Sequence, residues 1–322
     1  MTFRTGLLVA ACAVVLTACS GSSPSSSGPQ ASATAATPVV EPSASAECGP
    51  SATPPATYRH VVVVMEENRT WSEVGGVGFT DPAMPYLQAL ARQCTTFTDW
   101  TETNTGQNSL TQYIGLTSGV DNPNTVGDCS PSTTCTSTDD NIFRQVRLSG
   151  GTARSFVEGA SGGCSEGGNA AKHIPALYYT GSYADAGGVT RNDHDFCDAE
   201  VRPLTELDVD HLPTFAMITP NLCHDGHDCG NDQVDAFAAT WVSKILASSS
   251  YAAGDTAVMV LYDEDHPVPN LLIAPGAAPG PNPTPGAGHA AMLKTWDEML
   301  SLPPLPQDAI DQAISLRAPA HL

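Results

Sequence analysis

The stretch that decides the fold is HVVVVMEENRTW, His60 to Trp71. Its apolar run, Val61 to Met65, is rich in β-branched residues and leads straight into Glu66, Glu67, Asn68 and Arg69. A short continuous apolar run reads as a strand buried on both faces, the pattern of a parallel sheet covered by helices. Ending that strand in carboxylates, a carboxamide and a guanidinium puts chemistry at the carboxyl edge of the sheet, where open α/β sheets bind their ligands.

Further apolar segments read as strands: the stretch around Phe156, Thr214–Pro220, Asp255–Asp265 and Asn270–Pro275. Between them lie segments with helical periodicity: Met84–Cys94, Ser109–Thr117, Asn141–Leu148, Gln233–Ala247 and His289–Leu300. This alternation predicts an α/β fold, a three-layer α/β/α sandwich with a mostly parallel sheet, in one domain over residues 57–322. PGAAPGPNPTPGAGH, residues 275–289, reads as a loop.

The N-terminus reads as addressing. Residues 1–18 carry Arg4, an apolar stretch from Gly6 to Leu16, and then Leu16-Thr17-Ala18 before Cys19, the pattern of a lipoprotein signal peptide with Cys19 as the lipidated residue. Residues 19–56 are rich in Ser, Ala and Pro and predict a flexible tether. The expectation is an exported lipoprotein facing outward on a bacterial cell membrane, or in part secreted. No later segment is long and apolar enough to span a bilayer.

The formal net charge is −21, from 13 basic against 34 acidic residues, which argues against nucleic acid as a partner because too few cations remain to neutralise a phosphate backbone. Beyond Cys12 and Cys19 there are eight cysteines, an even set that in an exported protein predicts disulfides. The expected pairs are Cys129–Cys135, Cys223–Cys229, Cys164–Cys197 and Cys48–Cys94. A Cys-rich zinc site is the alternative, though no CxxC spacing is present.

A second strand end matches the first in polarity: AVMVLYDEDH brings Asp263 and Glu264 to the end of its apolar run. With Glu67 and Asn68 these make three carboxylates and an amide oxygen, which repel one another unless a cation sits among them, so a divalent metal is expected. Oxygen ligands suit Mg, Ca or Mn, and a histidine in the shell would bring in Zn. In TETNTGQNSLTQYIGLTSG, Thr101–Gly119, a hydroxyl at a helix start would sit among free backbone N–H groups that stabilise an anion; Ser109 and Thr105 are the candidates. The competing role for either is a helix N-cap. Histidines that could hold a phosphoryl oxygen, bind metal or protonate a leaving group are His173, His224, His227 and His289, with HDGHD held in a short loop between Cys223 and Cys229.

These segments resemble, in order, those of a bacterial phosphoesterase family of phospholipase C and acid phosphatase type within the alkaline phosphatase superfamily. VVVVMEENRTW is similar to its E-N-R-S/T opening, MPYLQALARQCTTFTDW to its first helix and following strand, and SLTQYIGLTSG to S-L-P-N-Y-x-A-L-T-S-G. KHIP is similar to K-H-N-P, ITPNLCHDGHDC to I-T-P-N-L-C-N-D-M-H-D-C, VMVLYDEDH to the late D-E-D strand, and GHAAMLKTWDEMLSLPPL to the closing helix. The resemblance spans about Arg59 to Leu305.

It implies hydrolysis of phosphate esters, small phosphomonoesters or phospholipids, through a phosphoserine. Glu67, Asn68, Asp263, Glu264 and Ser109 would bind the metal, Ser109 would be the nucleophile, and His173, His227 and His289 would be catalytic. Lys172, His224, Asp225 and Asp228 would contact substrate. The chain departs from the family where Thr111-Gln112 stands for Pro-Asn, Gln107-Asn108 for His-Pro and His224 for Asn. The Thr111-Gln112 departure favours an alternative, a non-catalytic surface lipoprotein that keeps the fold and binds a phosphorylated ligand.

Overall fold

The computed structural model describes residues 48, 53–104, 106, 108–165, 171–306 and 308–322. The expected signal peptide, Cys19 and nearly all of the tether lie outside the described residues, as do Thr105 and Gln107.

The strands are β1 His60–Glu66, β2 Thr95–Phe97, β3 Ala153–Val157, β4 Ser182–Ala184, β5 Thr190–Asn192, β6 Val201–Pro203, β7 Phe215–Thr219, β8 Thr256–Tyr262, β9 Asn270–Ile273 and β10 Gly280–Asn282. Eight form one sheet in the order β10-β2-β9-β8-β1-β7-β3-β6, and β4 and β5 make a separate hairpin. β1 therefore sits mid-sheet. Every residue from Val61 to Glu66 is buried, so helices and loops cover both faces of this strand, as its unbroken apolar run requires.

The helices expected from the sequence are present as Pro85–Ala91, Ser109–Ser118, Ile142–Leu148 behind the N-cap Asn141, Asn231–Leu246 and His289–Met299. They pack in sets: Pro85–Ala91 against Asn231–Leu246, and Ser109–Ser118 against His289–Met299. The expected layered α/β architecture is the one observed.

Two expectations need correction. β9 was expected as a parallel strand, but it runs antiparallel to β8 and to β2. Only residues 263–269 separate β8 from β9, and a parallel return needs a crossover of about a dozen residues or more. The stretch expected as a loop, residues 275–289, contains β10 at the sheet edge, paired with β2 alone. Pro281 is tolerated there because an edge strand has one side free of ladder bonds.

All four expected disulfides are formed: Cys48–Cys94, Cys129–Cys135, Cys164–Cys197 and Cys223–Cys229. His194 lies close enough to Cys164 and Cys197 for a metal, but the two sulfurs are bonded to each other and are not thiolate ligands.

Register aligns the chemistry. Glu66 of β1 pairs with Tyr262 of β8, so Glu67 and Asp263 leave the sheet side by side. On the other flank Val64 pairs with Ile218 of β7, whose chain runs on into the Cys223–Cys229 loop. Three neighbouring strands thus end on one edge, as the polar strand ends required.

Candidate active site

Glu67 is the centre of the site. It is buried, and its Oε2 accepts from Ser109 Oγ at 3.0 Å and lies 3.2 Å from His173 Nε2. Its Oε1 accepts from the Tyr113 hydroxyl at 2.7 Å. Burial opposes its charge, but the His173 ring, the Tyr113 hydroxyl and the Lys172 charge outweigh it and hold the carboxyl below its usual range. Burial likewise works against the charged form of His173, yet Glu67 and Asp225 raise it to about 10. Asp225 Oδ2 lies 3.5 Å from its Nδ1, and the Tyr113 ring stacks on it with centroids 5.2 Å apart.

The turn after β1 is locked from behind. Asn68 has φ 46°, a left-handed backbone that asparagine tolerates better than most residues. Arg69 holds this turn by donating to the Asn68 carbonyl at 2.7 Å and to the Gly226 and Cys229 carbonyls at 2.6 and 3.1 Å. The Glu67 N–H donates to the Asp225 carbonyl at 2.8 Å. The guanidinium of the E-N-R run is thus the clamp that fastens the β1 end to the Cys223–Cys229 loop.

Ser109 is the first residue of its helix, and the N-cap position belongs to Asn108. The Ser109 hydroxyl is not spent on capping. Besides Glu67 it reaches Glu264 Oε1 at 3.4 Å. Behind it, Gln112 accepts from the Thr103 N–H at 2.9 Å and donates to the Asn104 carbonyl at 2.8 Å, which fastens the loop leading to Ser109. The Thr111-Gln112 departure therefore has a positive structural use. Gly115 costs helix stability but leaves room for this loop, since a Cβ there would sit 2.1 Å from Thr103 Oγ1.

Asp263 accepts from the Asn68 N–H at 3.2 Å. Burial, together with the charges of Glu67 and Glu264, pushes its carboxyl well above its ordinary value. Burial and the charge of Glu67 raise Glu264 to about 7. Asn68 Oδ1 and Asp263 Oδ2 are buried oxygens without a hydrogen-bond partner among the described residues. Acceptor oxygens left unsatisfied beside two further carboxylates fit a divalent cation, which Glu67, Asn68, Asp263, Glu264 and Ser109 could hold. Glu67, His173 and Asp225 also bring ligand atoms within 4.8 Å of one another and are a second group that could hold a metal ion.

Lys172 and His227 are linked to Ser109's helix start through Asp128, which accepts from the Leu110 N–H. Lys172 Nζ lies 3.2 Å from Asp128 Oδ2 and 3.4 Å from His227 Nε2, and His227 Nδ1 is 2.8 Å from Asp228. They line a cavity of about 380 Å³ with Asp128, Ser130, Tyr178 and Leu222. His224 and His289, also expected in the site, make the following contacts. His224 turns to Glu158, at 2.8 Å, and packs near Phe237. His289 is buried, with Nδ1 3.2 Å from the Thr103 N–H, and burial pushes it down to about 3, so it is neutral. Tyr113 and Asp128 were not picked out from the sequence; a tyrosine at helical spacing and a Gly-Asp pair beside a cysteine read as core and turn.

A profile of the Phosphoesterase family matches residues 76–277. The chain belongs to the Phosphoesterase family. The matched span includes Ser109, Lys172, His173, His227, Asp263 and Glu264, and the chain is a phosphoric ester hydrolase. A phosphatidylinositol-3-phosphatase of Mycobacterium tuberculosis is 26% identical over 266 residues, which are 77% of this chain and 78% of that enzyme. An acid phosphatase of Aspergillus fumigatus is 29% identical over 98 residues, 29% of this chain and 20% of that enzyme. Among solved structures, Ps i-CgsB in complex with k-i-k-neocarrahexaose superposes over 82% of this chain and 76% of its own with a TM-score of 0.50 at 11% identity, a likeness of fold alone. A protein of the alkaline phosphatase superfamily from Vibrio parahaemolyticus covers 77% of this chain and 68% of its own at 17% identity and a TM-score of 0.48.

Proposed function

We propose that this hydrolase cleaves phosphate esters through a phosphoserine on Ser109, assisted by a divalent cation, and that it works outside the cell as a lipoprotein held by Cys19. The observation that carries the covalent route is the Ser109 hydroxyl, buried, free of capping duty and bonded to an ionised Glu67.

Ser109 Oγ attacks phosphorus, its proton passes to Glu67 Oε2, and the bond from phosphorus to the ester oxygen breaks. The leaving oxygen takes a proton from the Lys172–His227 pair. In the second step water attacks the phosphoserine and gives its proton to that pair, and Ser109 Oγ leaves and regains its proton from Glu67. His173 holds Glu67 in place and compensates its charge throughout. The cation, when bound, supplies electrostatic stabilisation of charge on the transferring oxygens. Mg, Ca or Mn suits the oxygen set best.

Both named relatives are phosphatases, which supports a phosphate ester on a lipid or small molecule as substrate. The test is to quench turnover of p-nitrophenyl phosphate with acid and map the phosphorylated residue by mass spectrometry. Phosphate on Ser109 is expected. An active enzyme that yields no phosphoserine, or yields it elsewhere, overturns the route.

A further inference from the structure

The Cys129–Cys135 loop carries a carboxylate to the donors that the reaction needs. Asp128 Oδ1 accepts from the Leu110 N–H at 3.0 Å, and its Oδ2 lies 3.2 Å from Lys172 Nζ. Leu110 follows Ser109 in the first turn of the helix, where N–H groups lack intrahelical acceptors and favour anions. A phosphoryl group attached to Ser109 would look to the same N–H and the same ammonium. The two oxygens of Asp128 already occupy them.

The backbone is bent to bring this about. Asp128 has φ 54°, following Gly127 at φ 72°, a left-handed conformation that aspartate, like asparagine, adopts more readily than most residues. The disulfide to Cys135 and a 2.9 Å hydrogen bond from the Tyr178 hydroxyl to the Cys129 carbonyl hold the loop in place. Beyond it, residues 130–134 are exposed, so the loop tip has open solvent to move into. Asp128 also lines the cavity that Lys172, His227 and Asp228 share.

We propose that Asp128 is an internal competitor for the phosphoryl subsite: its carboxylate fills that subsite in the resting enzyme, and any phosphate ester must displace it from Lys172 and the Leu110 N–H before it binds. The inference rests on the Ser109 reading for where the phosphoryl group sits. The cost of displacing the carboxylate is common to all phosphate esters, so Asp128 lowers the affinity for each of them by the fraction of enzyme whose subsite is open.

Asp128→Asn keeps an acceptor for Leu110 and drops the charge. Binding of inorganic phosphate is measured by calorimetry on the metal-replete protein, and kcat/KM is measured for p-nitrophenyl phosphate and bis(p-nitrophenyl) phosphate. Phosphate should bind about 10-fold tighter, and kcat/KM should rise for both esters. Unchanged or weaker phosphate binding, or an unchanged kcat/KM for both esters, overturns the proposal. A role confined to capping the helix would lower the Tm and leave both quantities alone, which also overturns it. Asp128→Ser, compared in the same assays, gives the same reading if the amide disturbs folding. The calorimetric arm needs no turnover, so it decides Asp128 even if Ser109→Ala remains active and the nucleophile assignment fails.

Discussion

Ser109 Oγ and Glu67 Oε2 are 3.0 Å apart, although 42 residues separate them in the chain. The contact joins the head of a helix to the end of the central strand, and the hydroxyl points at a carboxylate that stays ionised despite full burial. Ser109→Ala should lower turnover by at least about three orders of magnitude while phosphate affinity changes little, because the covalent step is lost and the binding groups remain. Glu67→Gln should cost about 10²- to 10⁴-fold in kcat, the range for a proton-transfer group. Steady-state kinetics on both variants, beside phosphate calorimetry, checks this; near-wild-type turnover in Ser109→Ala refutes the nucleophile.

The cation set makes a separate prediction. Asp263→Ala removes one ligand and should weaken divalent metal binding by more than the roughly 10- to 100-fold that loss of an outer-shell partner costs. Metal content by mass spectrometry after dialysis, together with a circular dichroism melt, separates loss of the ion from loss of the fold. Full metal retention would exclude Asp263 from the site.

Arg69 should matter for stability before it matters for chemistry. Its fork donates from Nη1 to the Asn68 carbonyl and from Nη2 to the Gly226 and Cys229 carbonyls, a two-pronged span that a lysine ammonium on one stem cannot reproduce. Arg69→Ala should cost about 1.5–3 kcal/mol for each such bond that contributes fully, and Arg69→Lys should recover only part of it. Denaturant unfolding measures both, and a lysine variant as stable as wild type would show that the forked contact is dispensable.

Asp297 makes a pH-dependent prediction remote from the site. It is buried in helix His289–Met299, and burial outweighs a backbone hydrogen bond from Leu305 and raises it from 3.8 to about 7. Because the folded state holds this proton more tightly than the unfolded chain, its contribution to stability is complete below about pH 4 and is lost as pH rises through about 7. Asp297→Asn cannot ionise, so it should be more stable than wild type by about 1–3 kcal/mol at pH 8, with the difference shrinking toward pH 4.5. Melts at the two pH values test the sign directly, and an equal difference at both would rule out the linkage.

Location is tested by Cys19→Ala. If that residue carries the lipid, the variant should move from the membrane fraction to the soluble fraction or medium, since one buried CH₂ contributes about 0.8 kcal/mol to anchoring and the acyl chains are lost together. Unchanged membrane retention would retire the lipoprotein proposal.

The local pattern of the chain determined a good deal. The apolar run Val61–Met65, short and rich in β-branched residues, read as a buried strand, and its polar end matched that of the other long apolar run. Short cysteine spacings made Cys129–Cys135 and Cys223–Cys229 natural pairs, and the helical periods were legible to within a few residues. Only the tertiary structure decided the rest. The reversal of β9 depends on a short connection rather than on its apolar composition. The neighbours of His224 and His289 depend on which way a ring turns once its loop is packed, and a histidine carries no sequence mark of that. Tyr113 meets Glu67 across 46 residues and Asp128 meets Lys172 across 44, contacts set by strand register and by a left-handed backbone turn. Periodicity reports which face a residue lies on within its own element. Which residue it meets across elements is fixed only when the sheet sets the register and the loops close.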